Sequence, residues 1–240
     1  MAEAQTARRR TVRLLVGTAL LCLAVAASVI VLTHQQPQAG PTQAPTVAVT
    51  CAAPPTPRAT YPRFTTAPSA SVAAGSDWRA VLHTTCGDVT LRLDGQRAPR
   101  SVASLIALAR AGYWTDSVCH RLTTPPAPTA FLQCGDPSGR STAEPGYDLP
   151  LENVPADQTY RVGDVGMARG DGFLGTAGEF FVVHHDFTVA RGAPVYSLVG
   201  HVDSGLEVVQ HIVAGGGEDF RSDGPPFLSI SVLTVDVRRL

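Results

Sequence analysis

The chain contains no lysine, and all nineteen of its basic residues are arginine. A phosphate-binding Walker loop requires a lysine after its glycines, and a Schiff-base enzyme requires an amine that condenses with a carbonyl. Both classes are therefore excluded. The formal net charge is −1, so no excess of positive charge indicates nucleic acid or an anionic lipid surface as a partner.

The motifs of the common hydrolases are also missing. The sequence has no G-x-S-x-G elbow, no H-E-x-x-H pair and no C-x-x-C, which removes the usual signatures of serine hydrolases, zinc proteases and thiol oxidoreductases. His184, His185 and Asp186 carry side chains that ligate metals, but neighbouring residues on a strand point to opposite faces. We interpret them as a surface turn, and we expect neither a metal nor another cofactor.

An uncharged apolar run occupies residues 14–32 and directly follows four arginines within residues 8–13. Its length is close to the roughly 20 residues that cross a bilayer as a helix. The positive-inside rule keeps the preceding residues 1–13 in the cytoplasm. The sequence therefore predicts a single-pass anchor in the cell membrane, with an extracytoplasmic C-terminal part. The alternative is a cleaved signal peptide, whose apolar region is about 7–15 residues long. Either arrangement exports the rest of the chain.

Residues 33–75 are rich in proline, threonine, alanine and glutamine, with eight prolines. Such a composition buries too little apolar surface to offset the entropy of ordering, and it favours extended polyproline-like conformations. The sequence predicts a disordered linker here and a folded domain at residues 76–240.

The folded part has the pattern of short strands separated by turns. Residues 78–84 and 88–93 alternate as a hairpin. Near the C-terminus an alternating run changes phase, which predicts a strand with a bulge near Leu233. Many short strands and few helices favour a mainly β domain of the α+β class, built as a barrel or sandwich rather than a parallel sheet.

Two helices are predicted by apolar residues at helical spacing. Residues 98–111 contain Pro99 in the first turn and precede Gly112. Residues 205–214 form the second helix, where Ser204 and Glu207 have the spacing of a capping box.

Several further segments occur in an order that resembles one protein family. They are Cys119-His120-Arg121-Leu122, Phe131-Leu132-Gln133-Cys134-Gly135-Asp136-Pro137-Ser138-Gly139, Gly166-Met167-Ala168, Gly178-Glu179-Phe180-Phe181 and Tyr196-Ser197-Leu198-Val199-Gly200-His201-Val202. Together they resemble the cyclophilin-type peptidyl-prolyl cis-trans isomerases over about 160 residues. An L-Q-C-G-D-P segment after an anchor and a proline-rich spacer is similar to exported bacterial members. The resemblance implies an eight-stranded antiparallel β-barrel capped by two helices.

The chemistry of such an enzyme concerns the X–Pro amide bond. Its cis/trans barrier of roughly 18–20 kcal/mol arises from amide resonance. A guanidinium directed at the prolyl nitrogen interacts better with a twisted amide than with a planar one, and it stays charged. No covalent bond needs to form.

The resemblance also implies roles for single residues. Arg121 is the expected catalytic donor, and Gln133 is expected to orient it or to contact the substrate carbonyl. The expected substrate-binding residues are Phe131, Ala168, Arg169, Glu179, Phe181, Val189 and Tyr196. Among them Phe181 forms the floor of a proline pocket. The implied partners are proline-containing polypeptides, with isomerisation assisting the folding of exported proteins, and we expect a monomer.

Several residues depart from the family pattern. Ala130 stands where the family has a pocket phenylalanine, and Phe131 compensates only if the register shifts. Glu179 replaces a glutamine and is expected to pair with Arg121, in competition with substrate. Arg169 stands at an asparagine position and Ser141 at a glycine position. These departures leave two alternatives open, namely a proline-peptide-binding module or holdase with weak or no isomerase activity, and a structural envelope protein whose groove is unused.

The cysteines fit an exported location. Cys22 lies in the predicted anchor, which leaves four cysteines outside, and four allow three pairings. If the strands of Cys119 and Cys134 are neighbours, these two pair and Cys51 is left with Cys86. Free buried thiols are the alternative.

Overall fold

The computed structural model describes residues 48–169 and 175–240. Residues from Ala48 to Leu240 form one unit. The predicted cytoplasmic segment, the predicted anchor and linker residues 33–47 lie outside the described residues. Where the structure describes the chain, it contains no helix of the length and apolar character needed to span a bilayer.

In the part of the chain that the structure describes, the domain has thirteen strands and two α-helices. The strands are β1 (Asp77–Thr84), β2 (Gly87–Asp94), β3 (Ser117–Val118), β4 (Arg121–Thr123), β5 (Phe131–Cys134), β6 (Asp148–Leu149), β7 (Thr159–Tyr160), β8 (Asp164–Arg169), β9 (Gly175–Val183), β10 (Phe187–Thr188), β11 (Leu198–Ser204), β12 (Asp223–Gly224) and β13 (Ser231–Arg239). The helices are α1 (Pro99–Arg110) and α2 (Leu206–Ala214), and short 3-10 helices occupy Ala70–Val72 and Glu218–Phe220.

Eleven strands form one antiparallel sheet with the order β12-β4-β5-β9-β8-β11-β2-β1-β13-β3, with β6 pairing to β9. Eight of these strands are three residues long or longer. Among the described residues, the hydrogen-bonded path runs from β12 to β3 and is not closed by a ladder between its ends. The sheet is therefore a curled half-barrel rather than the closed barrel that the resemblance implies.

The predicted hairpin and C-terminal bulge are both confirmed. Strands β1 and β2 pair in full register from Asp77 opposite Asp94 to Thr84 opposite Gly87. Strand β13 pairs with β1, and the register shifts where Leu233 is skipped. The shift explains why the alternation of β13 changes phase in the sequence.

Both predicted helices are confirmed, but the cap predicted for the second is wrong. Helix α1 begins with Pro99, and eight of its twelve residues are buried. Helix α2 begins after Gly205, which has a φ of 87° and makes no side-chain capping bond. A Cβ atom at Gly205 would lie 2.2 Å from the Asp88 carbonyl oxygen on β2. Close approach to the sheet therefore selects glycine at the helix start, in place of the predicted Ser204 cap.

Part of the predicted linker packs against the domain, which corrects the expectation of disorder for residues 48–75. The Ala52 amide donates to the Thr85 carbonyl, and the Phe64 amide donates to the Pro145 carbonyl. Tyr61 packs edge-on against the buried Tyr113 ring with centroids 5.6 Å apart. Proline-rich composition disfavours helix and sheet, but it does not prevent an extended segment from binding to a surface that satisfies its amides.

Two disulfide bonds join the four described cysteines as Cys51–Cys86 and Cys119–Cys134. Of the three possible pairings, this is the one expected if β4 and β5 are neighbours, and these strands do pair. The first bond ties residues 48–75 to the β1–β2 turn, and the second joins the segment before Arg121 to the residue after Gln133.

The alternation of β5, β8 and β9 separates two apolar clusters. On β5, Leu132 and Cys134 belong to the main core beneath the helices, whereas Phe131 belongs to a second cluster. On β9, Phe180 faces the main core and Phe181 faces the second cluster. Since successive strand residues point to opposite faces, one side of these strands is free to build a site.

We expect the Cys51–Cys86 bond to hold residues 48–75 in place. Replacing both cysteines by serine (Cys51→Ser with Cys86→Ser) removes a cross-link that spans 35 residues, worth roughly 3–4 kcal/mol in the chain-entropy description. Trypsin should then cleave after Arg58 and Arg63 much faster than in the unaltered chain. Unchanged cleavage rates at these arginines under non-reducing conditions would contradict the prediction.

Candidate functional site

Three predicted site residues lie in one row across three adjacent strands. Arg121 on β4 is directly opposite Gln133 on β5, and Gln133 is directly opposite Phe181 on β9. Side chains at paired positions point to the same face of a sheet. The register of these strands therefore brings the predicted donor, its orienting residue and the predicted pocket floor to one face.

The Arg121 guanidinium is held from two sides. Its Nε and Nη2 atoms donate to the Asp223 carboxylate at 2.7 and 2.8 Å, and Nη1 donates to Gln133 Oε1 at 3.3 Å. The ion pair with Asp223 raises the pKa of Arg121 and lowers the pKa of Asp223. These bonds use three of the five guanidinium donors, which leaves two for a ligand.

The same guanidinium lies over an aromatic ring. Its Cζ atom is 5.4 Å from the centroid of Phe131, within the range of a cation–π contact. Phe131 in turn stacks on Phe181 with centroids 4.5 Å apart. A positive charge thus sits directly above an aromatic cluster.

This aromatic cluster, which is the second of the two apolar clusters, contains most of the predicted substrate-binding residues. Its buried members are Ala130, Phe131, Tyr160, Ala168, Phe181, Val183, Phe187 and Val189, and the partly buried Tyr196 packs against them. The Tyr196 ring meets Phe181 edge-on at 5.1 Å. Tyr196 is also tied to Tyr160, because its amide donates to the Tyr160 hydroxyl, which donates to the Tyr196 carbonyl.

The Phe181 ring lies flat against the backbone of β8. A Cβ atom added to Gly166 would be 2.3 Å from Phe181 Cζ, so any side chain at this position would displace the ring. Phe181 is 0% exposed and Phe131 1% exposed. The floor of the predicted pocket is therefore covered by Phe131 and Tyr196.

The family pattern has a pocket phenylalanine at the position of Ala130, and in this chain the aromatic ring belongs to the next residue, Phe131. Ala130 and Phe131 both belong to the second cluster, and the Phe131 amide donates to Thr123 Oγ1 on β4 at 3.0 Å. The Phe131 ring thus lies in the same cluster as Ala130, and its compensation for a pocket phenylalanine stays a prediction.

Glu179 does not form the ion pair with Arg121 that the sequence suggested. Its carboxylate accepts a short hydrogen bond from Gln133 Nε2 and a bond from Ser141 Oγ at 3.2 Å. His120 Nε2 lies 3.6 Å from it. The expectation is corrected because Asp223 occupies the accessible edge of the guanidinium, while Glu179 is buried behind Gln133.

Arg169 lies at the edge of the site. Its Nη1 atom donates to the Val195 carbonyl at 3.1 Å, next to Tyr196. The structure thus brings all nine predicted site residues to one region, with Arg169 on its margin.

Sequence reasoning missed Asp223. It lies 102 residues from Arg121 on the two-residue strand β12, which pairs with β4. Its sequence context of serine, aspartate, glycine and proline reads as an ordinary turn, so no local signal marks it as a partner of Arg121.

The loop after β5 is organised by Asp136. This side chain is fully buried, and it accepts bonds from the backbone amides of Ser138, Thr142 and Ala143. The bonds fix the path of the segment that delivers Ser141 to Glu179.

Comparison with known proteins shows which family the chain is similar to. Residues 79–237 match the family model described as cyclophilin type peptidyl-prolyl cis-trans isomerase. The chain is 36% identical over 166 residues to "Probable peptidyl-prolyl cis-trans isomerase B" of Mycobacterium tuberculosis, covering 62% of this chain and 51% of that protein. The protein of the same name from Mycobacterium leprae is 30% identical over 164 residues, covering 64% and 54%. The chain thus spans about half the length of these relatives.

A solved structure agrees in fold. The cyclophilin type peptidyl-prolyl cis-trans isomerase of Cryptosporidium parvum has a TM-score of 0.57 at 18% identity, covering 68% of this chain and 98% of that one. At this identity the likeness concerns the fold alone. The family model covers well over half of the chain, and on that ground the chain belongs to the cyclophilin-type peptidyl-prolyl cis-trans isomerase family.

Proposed function

We propose that this protein is a peptidyl-prolyl cis-trans isomerase in which Arg121 acts on the prolyl nitrogen. The observation that carries the proposal is the Arg121 guanidinium above the stacked rings of Phe131 and Phe181. A prolyl residue presents an apolar ring and, when its amide twists, a nitrogen that becomes basic. A cation next to an aromatic surface matches both features.

In this mechanism catalysis is differential binding. A planar amide nitrogen is a poor acceptor because its lone pair is delocalised, whereas a twisted amide nitrogen accepts a hydrogen bond. The two guanidinium donors that Asp223 and Gln133 leave unused are suited to that bond. A hydrogen bond to a charged group is worth about 1.5–3 kcal/mol, which corresponds to roughly ten- to a hundredfold in rate. The rest of the acceleration has to come from holding the two sides of the bond.

A second candidate function is a proline-peptide-binding module with weak turnover. The observation that favours it is the burial of Phe181 beneath Phe131 and Tyr196. A prolyl ring reaches Phe181 only after one of these two side chains rotates. If that rotation is costly, the ring binds at the rim of the cluster, and the amide is not clamped in a twisted state.

We further propose that the clients are proline-containing segments of exported proteins. The two disulfide bonds support this, because such bonds persist in oxidising compartments outside the cytoplasm. The apolar run at residues 14–32 with its preceding arginines supports a membrane anchor with the domain on the extracytoplasmic side. Monomeric behaviour stays a prediction.

The role of Arg121 is tested by Arg121→Ala in the full chain. We expect kcat/KM for a proline tetrapeptide, measured from exchange between its cis and trans NMR signals, to fall about ten- to a hundredfold, as loss of one charged hydrogen bond predicts. Arg121→Lys keeps the charge without the planar fork, so its kcat/KM should lie between those of Arg121→Ala and the unaltered chain.

Arg92→Ala is the matched control, because Arg92 also binds a carboxylate through Nε and Nη2, namely that of Asp77 on β1. It should leave isomerisation unchanged. Peptide binding without turnover in the unaltered chain would favour the second candidate, and equal activity of Arg121→Ala and the unaltered chain would rule out the proposed role.

Asp223 is expected to assist Arg121 by fixing its orientation. Both side chains are partly exposed, at 40% and 48%, so the ion pair is worth no more than about 1 kcal/mol. Asp223→Ala should therefore lower kcat/KM by up to about fivefold. A gain of activity in Asp223→Ala would show instead that the carboxylate competes with substrate for the guanidinium.

A further inference from the structure

Behind Arg121 lies a polar cluster in which Gln133 and Glu179 are buried, His120 is partly buried and Ser141 is exposed. The side chains of His120 and Glu179 are 8% and 7% exposed, and Gln133 is 5% exposed as a residue. Burial of a carboxylate is costly unless hydrogen bonds compensate it. The donors around Glu179 therefore show how its buried carboxylate is compensated.

The donors and acceptors of the cluster allow only one orientation of the Gln133 amide. An ionised carboxylate accepts hydrogen bonds and donates none, so the Gln133 atom that faces Glu179 has to be Nε2. The amide oxygen then faces Arg121 and accepts from Nη1. His120 Nε2 lies 3.3 Å from the same Gln133 nitrogen.

A glutamine in place of Glu179 would not fix this orientation. An amide presents either an oxygen or an NH2 group, so Gln133 could turn its own NH2 group towards Arg121. The Gln133 NH2 group and the Arg121 guanidinium, which are both donors, would then face each other without a hydrogen bond. The carboxylate excludes that flipped arrangement, because a Gln133 oxygen facing it would find no donor.

Ser141 in turn holds the carboxylate. Its hydroxyl lies 3.2 and 3.4 Å from the two Glu179 oxygens. Ser141 has a φ of 56°, a left-handed conformation that is uncommon for residues other than glycine. The loop is held in this path by the three amide bonds to Asp136. The strained residue is therefore the one whose hydroxyl contacts Glu179.

We propose that Ser141 and Glu179 act as a pair of positioning residues that orient the Gln133 amide and, through it, the Arg121 guanidinium. This inference rests on the proposed function and deepens it. It gives Glu179 a role different from direct substrate contact, because its oxygens are engaged by Gln133 and Ser141 in a buried position. The chain departs from the family pattern at both positions of the pair, and the two departures contact each other.

The test compares Glu179→Gln, Ser141→Ala and the double variant in the full chain, with Ser138→Ala as control. Ser138 lies in the same loop, and its hydroxyl contacts Thr142 and the Arg140 amide rather than Glu179. We expect Glu179→Gln to lower kcat about three- to tenfold with KM unchanged, since the lost interaction acts in the transition state.

Ser141→Ala should lower kcat about twofold to threefold, and the double variant should lose less than the product of the two single effects, since both act on one hydrogen-bond network. Ser138→Ala should match the unaltered chain. A change confined to KM in Glu179→Gln, or fully multiplicative effects in the double variant, would overturn the proposal.

A second readout is independent of activity. The side-chain amide of Gln133 should give one distinct pair of NMR signals, assigned by their loss in Gln133→Glu. These signals should shift or double in Glu179→Gln and stay in place in Ser138→Ala. Unchanged signals in Glu179→Gln would overturn the positioning role. Absence of isomerisation in the unaltered chain, with the expected signal changes, would instead refute the proposed function and leave the positioning intact.

Discussion

The site depends on the antiparallel register of three adjacent strands. Because β4, β5 and β9 pair in sequence, Arg121, Gln133 and Phe181 occupy one row on one face. A shift of one residue in β5 would turn Gln133 into the main core and Leu132 towards Arg121. The Cys119–Cys134 bond joins the segments that flank this row, so the covalent link and the strand pairing fix the same register.

The charge arrangement follows from this row. Arg121 has a carboxylate in direct contact at Asp223, and a second carboxylate, Glu179, behind Gln133. The direct partner is partly exposed and screened by water, whereas the indirect one is buried, where an unpaired charge would cost far more. Asp223 therefore restrains the outer edge of the guanidinium, while the buried network determines where its inner edge can find an acceptor. A single arginine is thus oriented by two carboxylates in different dielectric surroundings.

The sequence predicted the parts of the fold that depend on residues close together in the chain, and the family resemblance predicted most of the site. Hairpin β1–β2, both helices and the bulge at Leu233 follow from periodicity and turn residues, and the family resemblance brought Arg121, Gln133 and Phe181 together. It missed Asp223, because a partner 102 residues away leaves no periodic signal. It also predicted a Ser204 cap where contact with β2 demands Gly205, and disorder in residues 48–75, where extended chain binds the domain surface. In each case tertiary contact overrides local preference.

In the proposed mechanism, the closed aromatic cluster limits how a prolyl ring can enter. Phe181 is pressed against Gly166, where not even a Cβ atom fits, so it cannot withdraw towards β8. Phe131 is fixed through its backbone bond to Thr123, whereas its side chain stacks on Phe181 and lies beneath Arg121. Tyr196 is partly buried and held through its backbone by Tyr160. With the sheet in this position, access to Phe181 requires rotation of the Phe131 or Tyr196 side chain, and a rotation of Phe131 would break its contact with the guanidinium. Entry of the ring and the freedom of Arg121 to meet the prolyl nitrogen are for this reason physically coupled.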